Sequence, residues 1–295
     1  MHIPVLQKEV LQYLDPGPNE NFIDCTINGG GHALAILERT EPKGKLLGIE
    51  WDEEIVRQLK LKARDAKLKN RLILVNDNFA NLGEIVKSQR FRAVKGILFD
   101  LGMSSWHLEE SDRGFSFLKK EPLDMRYDSR NPLTAEKIIN YWSAPEIEKI
   151  LRDYGEEAFA RPIAKNIVEF RKIKTITNTS QLVEIIKNSL PKRFQQKKTH
   201  PATRTFQALR IAVNDELNNL ENVLPQALEA LEPEGRMVII SFHSLEDRMV
   251  KNFFRDKAKE NLIKKVTKKP VIPSRKEIII NPRSRSAKLR LGQKL

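Results

Sequence analysis

Four apolar runs dominate the first hundred residues and show almost no alternation between apolar and polar side chains. The runs cover residues 21–26, 45–51, 71–76 and 94–101. Strands with this pattern are covered on both faces, as in a parallel sheet. Segments with helical periodicity separate them, at residues 31–39, 53–66 and 82–88. Repeated strand–helix units predict an α/β fold with a doubly wound parallel sheet.

The strand–helix alternation stops after Gly102, and residues 134–190 have the pattern of consecutive helices with polar joints. The predicted helices cover residues 134–142, 143–155, 156–172 and 178–190, with Ser143 and Asn178 as N-caps. Further helices are predicted at 203–220, 224–231 and 245–257, with a buried strand in "EPEGRMVIISFHS" and two short strands after residue 250. We therefore expect one α/β domain, residues 1–105 and 205–295, interrupted by a helical domain, residues 106–204.

Charge is distributed unevenly along the chain. The net charge is +13, and the last 45 residues carry 15 basic and 3 acidic side chains. A second basic segment, residues 171–210, contains ten basic residues and a single acidic one, Glu184. Two basic segments on a nearly neutral body favour a polyanionic partner. A lysine-rich solvated surface, common in heat-adapted proteins, is the alternative that composition leaves open.

Cysteine content and hydropathy restrict the compartment. Cys25 is the single cysteine, which excludes a disulfide framework and a zinc site built from cysteines. The amino-terminal residues do not have the pattern of a signal peptide, and no apolar run reaches the length of a membrane span. We expect a cytoplasmic protein without a membrane partner and without a metal site.

A glycine-rich segment, "DCTINGGGH" at residues 24–32, follows the first predicted strand. Ligands of open parallel sheets bind beyond the carboxyl ends of the strands, and glycines let a ligand approach the backbone closely. The segment resembles the start of the G-x-G-x-x-G pattern, but Leu34 replaces the last glycine. An ordinary strand-to-helix turn is the alternative.

Acidic residues at the predicted strand ends indicate which ligand binds. Glu50 ends the second strand, where a carboxylate accepts hydrogen bonds from ribose hydroxyls of a dinucleotide or of S-adenosylmethionine. Asp24 would oppose a pyrophosphate, whereas it can hold a cationic amino-acid group. Asp77 or Phe79 could contact adenine, and Asp100 ends the fourth strand at the same crevice. The set favours S-adenosylmethionine, although each polar residue alone could be a helix cap.

Eight motifs occur in an order that is similar to one known family. They are "HIPVL" (2–6), "DCTINGGGH" (24–32), "DLGMSS" (100–105), "RGFSF" (113–117), "PLDMR" (122–126), "HPATRTFQALRIAVNDEL" (200–217), "GRMVIISFHSLEDR" (235–248) and "NPRSRSAKLR" (281–290). Together they closely resemble the bacterial 16S ribosomal RNA cytosine N4-methyltransferases, the MraW/RsmH family. The resemblance implies methyl transfer from S-adenosylmethionine to the exocyclic amine of one cytidine in the decoding region of the small ribosomal subunit. It also implies a Rossmann-like methyltransferase domain with an inserted helical domain.

The resemblance also implies a set of cofactor-contacting positions. The matching residues are Gly30, Gly31, His32, Glu50, Phe79, Asp100 and His107. Two positions depart from the family pattern. The family usually has aspartate where Glu50 stands, and Pro-Gln where Trp106-His107 stands, so the role of His107 is the most open of the set.

Catalysis requires an acceptor for the cytosine amine, because the lone pair of that amine is delocalised into the ring. Asp100 is the first candidate. Asp124 is the second, and an ion pair with Arg126 is its alternative role. His243, at the end of a late buried strand, is the third, and a buried structural histidine is the alternative there.

The target base must be unpaired, because a stacked base cannot present its amine to a deep pocket. The predicted phosphate contacts are Lys192, Arg193, Lys197, Lys198, Arg204, Arg283, Arg285 and Arg290. Other readings stay open at this point: a nicotinamide-dependent oxidoreductase, a non-catalytic RNA-binding protein, or methylation of another nucleic-acid or protein amine. The residues do not decide between a monomer and a homodimer.

Overall fold

The computed structural model describes residues 3–62, 68, 70–195 and 200–295. The chain divides into two compact units. The sheet unit comprises Met1–Gly102 and Leu217–Leu295, and the helical unit comprises Met103–Glu216. The helical domain was predicted to cover residues 106–204. The observed unit begins three residues earlier and ends twelve residues later, at Glu216.

The sheet unit is built on seven strands. They are β1 (Asn21–Asp24), β2 (Leu46–Glu50), β3 (Leu72–Asn76), β4 (Val94–Asp100), β5 (Leu231–Ser241), β6 (Ile263–Lys265) and β7 (Lys288–Lys294). Their order is β3-β2-β1-β4-β5-β7-β6. Strands β1 to β5 pair in parallel, whereas β7 runs antiparallel to both β5 and β6. The predicted α/β class and the four early strands are confirmed.

The apolar runs form the interior of this sheet. Every residue of β2 is buried, and β4 is buried except for Lys95. Ile23, Leu47, Ile97 and Ile239 are 0% exposed in one apolar cluster. Burying each such side chain stabilises the fold by about 1.5–3 kcal/mol. Because both faces of these strands are covered, apolar side chains are favoured at every position and the runs lack polar alternation.

Fourteen α-helices are assigned within the described residues. They are α1 (Gln7–Leu14), α2 (Gly31–Arg39), α3 (Glu53–Lys62), α4 (Leu82–Ser88), α5 (Ser105–Glu109), α6 (Ala135–Tyr141), α7 (Ala144–Asp153), α8 (Ala160–Ile173), α9 (Thr179–Ser189), α10 (Lys192–Gln195), α11 (Thr203–Asn214), α12 (Glu216–Ala230), α13 (Ser244–Lys259) and α14 (Arg275–Ile280). Helices α2 and α4 have the predicted bounds. The remainder of the predicted helix 53–66, beyond α3, lies outside the described residues. No helix in the described part of the chain combines the length and apolar character needed to cross a bilayer.

The predicted helix 203–220 is wrong, because the chain breaks at Asp215. Asp215 adopts a left-handed conformation with φ 51° and ends α11. The side chain of Asn214 donates hydrogen bonds to the Met125 and Arg210 carbonyl oxygens, at 2.7 and 3.0 Å, and so is used in closing the helix end. Helix α12 then continues without interruption through residues 221–223, where the sequence predicted a break, and includes Pro225.

The helical unit contains α5 to α11. Ser143 and Asn178 cap α7 and α9 as predicted, each with its N3 side chain completing a capping box. Helices α7, α8 and α9 pack in sequence, and α11 packs on α6 and α7. This packing places α11 in the helical unit and explains why the unit ends at Glu216 and not at residue 204.

The basic carboxyl-terminal segment is part of the sheet unit. Strand β7 lies between β5 and β6, and α14 precedes it without having been predicted. Two hydrogen bonds, which we call the N-terminal latch, join α14 and the residue after it to the start of the chain. Leu6 N donates to Glu277 Oε1 at 2.7 Å, and Asn281 Nδ2 donates to the Ile3 carbonyl oxygen at 3.1 Å.

Candidate active site

The glycine loop joins β1 to α2 and has a conformation that only glycine adopts without strain. Gly30 is the N-cap of α2 with φ 82°, a left-handed value that strains any other residue. A Cβ at Gly30 would lie 2.9 Å from Leu59 Cδ2, and a Cβ at Gly31 would clash with Pro4 Cγ. The fold therefore requires glycine at both positions, because of the backbone conformation of Gly30 and the packing of Pro4 against Gly31. The close approach of a ligand stays a prediction.

Asp24 is the last residue of β1 and is 1% exposed. Its Oδ1 accepts a hydrogen bond from Thr26 N at 3.1 Å. Burial raises its pKa from 3.8 to about 7, against the opposing effect of the Thr26 hydrogen bonds. A buried carboxyl group with this pKa is destabilised in its charged form, and a cationic ligand would relieve that cost.

Glu50 ends β2 and reaches the glycine loop. Its Oε2 accepts a hydrogen bond from Asn28 N at 3.1 Å, and its Oε1 accepts one from Asp52 N at 3.2 Å. Burial raises the pKa of Glu50 to about 7, although these backbone hydrogen bonds lower it. The longer side chain thus keeps a carboxyl group beside the loop, at the position predicted for ribose recognition.

Asp100 ends β4 on the other side of β1. Its backbone N–H donates to Thr26 Oγ1 at 2.6 Å, and its Oδ2 lies 3.7 Å from His32 Nε2. Burial raises the pKa of Asp100 well above its usual value, with further contributions from the charges of Asp24 and Glu246. Among the described residues, Asp100 Oδ1 is buried and has no hydrogen-bond partner. An atom of this kind fits a site that binds a polar ligand.

Aromatic residues surround the end of β3. Phe79 is 5% exposed and contacts Trp51 edge to face, with ring centroids 5.3 Å apart. Trp51 directly follows Glu50, a signal for an aromatic neighbour of the ribose site that the sequence analysis did not use. Asp77 Oδ1 accepts hydrogen bonds from Asn78 N and Asn81 Nδ2, so that carboxylate stabilises the turn.

His243 and Glu246 form a pair at the start of α13. His243 is the N-cap, and its Nε2 lies 3.1 Å from Glu246 Oε1. Glu246 Oε2 also accepts a hydrogen bond from Phe242 N at 2.8 Å. These contacts support the structural role considered for His243. Glu246 was missed, although the spacing His-x-x-Glu at a helix start is the signature of a capping box.

Two predicted site residues belong to the helical unit. Asp124 pairs with Arg126 through both oxygens, at 2.7 Å from Nε and 2.8 Å from Nη2, as its alternative role predicted. His107 is 2% exposed, its Nδ1 lies 2.8 Å from Ser104 Oγ, and it contacts the Phe115 ring. Its cofactor contact stays a prediction.

The predicted RNA contacts differ in exposure. Lys192 and Arg193 are exposed on α10, while Arg204 is exposed and donates to the Glu156 carbonyl oxygen at 2.8 Å. Lys197 and Lys198 lie outside the described residues.

Arg283 and Arg285 are exposed in the short 3-10 helix Pro282–Ser286. Arg290 corrects the prediction, because it is 8% exposed on β7 and its Nε lies 2.7 Å from Asp247 Oδ1. Its guanidinium group stabilises the sheet unit and does not offer an exposed phosphate contact.

The sheet order, the glycine loop and the acidic strand ends define a Rossmann-like enzyme that binds a nucleoside cofactor at the carboxyl edge of a parallel sheet. The chain belongs to the MraW methylase family, whose model matches residues 1–295. It is 44% identical over 310 residues to "Ribosomal RNA small subunit methyltransferase H" of Heliobacterium mobile, covering 100% of this chain and 99% of that protein. The protein of the same name from Symbiobacterium thermophilum is 45% identical over 309 residues, with 100% and 96% covered.

The family assignment makes the chain a methyltransferase with S-adenosyl-L-methionine as its methyl donor. The residues of the sheet unit fit that donor, because the buried carboxyl groups of Asp24, Glu50 and Asp100 end β1, β2 and β4 next to the loop that joins β1 to α2. The oxidoreductase reading is not supported.

Proposed function

We propose that this enzyme methylates the N4 amine of one cytidine in the 16S ribosomal RNA of the small ribosomal subunit, in the cytoplasm. The similarity over the whole chain to enzymes named ribosomal RNA small subunit methyltransferase H carries the proposal. The choice of cytidine N4 follows from the eight ordered motifs. The basic character of the chain, with a net charge of +13, supports a polyanionic substrate.

In this proposal, the sheet unit holds the cofactor at the carboxyl ends of β1, β2 and β3. S-adenosylmethionine supplies an electrophilic methyl group when it is bound. Asp24 interacts with the cationic amino-acid portion, and Glu50 accepts hydrogen bonds from the ribose hydroxyls. Gly30 and Gly31 let the backbone approach, and Phe79 provides an apolar contact for adenine.

Asp100 acts on the substrate amine. A carboxylate that accepts a hydrogen bond from the N4 amine localises its lone pair on nitrogen, and the same oxygen can take the proton released on methylation. Two observations support this assignment. Asp100 Oδ1 has no partner among the described residues, and the pKa of Asp100 is raised, which favours proton uptake. The carboxylate of Asp124 is paired with Arg126, whereas His243 Nε2 lies 3.1 Å from Glu246 Oε1 but is, like Asp100 Oδ1, buried without a hydrogen-bond partner among the described residues. His243 therefore becomes the second candidate.

RNA binding uses exposed cations of both units. Lys192, Arg193 and Arg204 make the helical unit a substrate-recognition domain, and Arg283 and Arg285 provide phosphate contacts from the sheet unit. Arg290 is excluded from this set because it is paired with Asp247.

The test is methyl transfer to purified small subunits from cells that lack the endogenous activity. Labelled S-adenosylmethionine is the donor, and mass spectrometry of nuclease digests identifies the product nucleoside. We expect N4-methylcytidine at one position, and a rate about 10²–10⁴-fold lower for Asp100→Asn when it is measured at saturating S-adenosylmethionine. Asp256→Asn, an exposed carboxylate of α13, is the matched control and should keep the wild-type rate. Label on another base, or on protein, would refute the proposed substrate.

A further inference from the structure

A cavity of about 360 Å³ lies in the sheet unit between the end of β5 and the segment that leads into β7. Its apolar walls come from Phe242, Ile272, Pro273 and Ile278. Cavities of this size hold small molecules, and apolar walls with few polar groups are typical of such sites. None of the three carboxyl groups of the cofactor site lines it, so it is a separate site.

The polar lining of the cavity is cationic and hydroxylic. Arg285, Lys288, Ser286 and His243 contribute to it, and no aspartate or glutamate does. Lys288 Nζ lies 3.2 Å from Asp247 Oδ2, so its charge is partly compensated, whereas the exposed Arg285 has no acidic partner within ion-pair distance among the described residues. The cavity therefore suits a ligand with a flat apolar part and an anionic part.

The cavity lies close to the acidic strand ends. Phe242 directly follows β5, and β5 pairs with β4 up to Asp100 and Ile240. A Cβ at Gly102, two residues after Asp100, would lie 3.2 Å from Phe242 Cδ2. Phe242, which lines the cavity, therefore lies beside the residues that follow β4, and the cavity is near the end of β4 that carries Asp100.

We propose that this cavity binds the base of a nucleotide that neighbours the methylated one in single-stranded RNA. The apolar walls contact the base, and Arg285 binds the adjoining phosphate. The methylated base itself sits elsewhere, since an amine in the cavity would have no carboxylate acceptor. This inference rests on the proposed function for the identity of the polymer.

The test uses two paired variants on the same segment. Arg285→Gln with Ile272→Ser removes the cation and one apolar wall of the cavity, and Ile272 is 65% exposed, so the substitution does not open the core. Arg275→Gln with Ile279→Ser makes the same chemical changes on α14 outside the cavity, where Ile279 is 73% exposed. The probe is a fluorescent single-stranded RNA of the target region, titrated by anisotropy in the presence of S-adenosylhomocysteine.

We call the double variant Arg285→Gln with Ile272→Ser the cavity pair, and Arg275→Gln with Ile279→Ser the control pair. We expect the dissociation constant for RNA to rise about tenfold in the cavity pair and by less than about twofold in the control pair. A scan of abasic substitutions then locates the bound base. In the wild type, one position beside the target should lose about tenfold in affinity when its base is removed, and this loss should disappear in the cavity pair. Equal losses for both pairs, or an abasic loss that persists in the cavity pair, would overturn the proposal.

Binding without turnover separates this inference from the proposed function. If RNA affinity depends on the cavity but no N4-methylcytidine is formed, the proposed reaction is refuted, whereas the cavity is still supported as a binding site for a base.

Discussion

Replacing Asp24 by asparagine removes a buried negative charge without changing the shape of the side chain. Asp24 is 1% exposed, and the accepting oxygen that faces Thr26 N is kept in asparagine. The structure therefore predicts that Asp24→Asn stabilises the ligand-free protein and at the same time weakens binding of S-adenosylmethionine.

The magnitude follows from the difference between the two pKa values. Burial raises the pKa of Asp24 from 3.8 to about 7, so the folded state holds a proton that the unfolded state releases. The free energy of unfolding consequently falls by about 1.4 kcal/mol per pH unit between these two values and is constant above pH 7. Asparagine carries no such cost, so the variant should be equal in stability near pH 4 and about 4 kcal/mol more stable at pH 8.

Urea denaturation of ligand-free protein at pH 4, 6 and 8, followed by circular dichroism, measures this difference. Calorimetric titration with S-adenosylmethionine gives the affinity, which should increase with pH up to about 7 more steeply in the wild type than in the variant. Asp256→Asn removes an ion pair with Arg255 on the surface, and this control should be no more stable than the wild type at any of the three pH values. Equal stability of Asp24→Asn and wild type at pH 8, or a stabilisation of the same size at pH 4, would refute the reasoning.

Three further predictions address other parts of the sheet unit. Gly31→Ala places a methyl group against Pro4 and should cost about 1–3 kcal/mol of stability or of donor binding, measured by denaturation and calorimetry. Glu50→Gln should raise the dissociation constant of S-adenosylmethionine about tenfold or more, since a carboxylate that binds hydroxyl groups is lost, and an unchanged affinity would remove the ribose assignment. Asp247→Asn leaves Arg290 buried without its anion and should lower the free energy of unfolding by about 3 kcal/mol, measured by urea denaturation.

The sheet was predictable because strands that are buried on both faces consist of uninterrupted apolar runs, which are visible in the sequence. Strand β2 is buried throughout, and its prediction differed by one residue at each end. The acidic strand ends were predictable because each apolar run of the sequence meets a carboxyl residue where the strand stops, at Asp24, Glu50 and Asp100. Ser143 and Asn178 were predictable because a cap depends on residues within one helical turn.

Features that depend on distant contacts were not predictable. The break at Asp215 depends on Asn214, whose side chain bonds to Met125 far back in the chain. The burial of Arg290 depends on Asp247, a partner on another element. Local periodicity contains neither relation, and a count of basic residues could not distinguish a structural arginine from an exposed one.

The N-terminal latch joins residues that are separated by 271 and 278 positions in the sequence. Pro4, which lies against Gly31, is carried by a segment whose hydrogen-bond partners are Glu277 and Asn281. Glu277 and Asn281 are far from Pro4 in the sequence, so the segment that packs on the glycine loop is fixed only when these distant parts of the chain have come together. The glycine loop thus depends on long-range contacts as well as on its own local conformation.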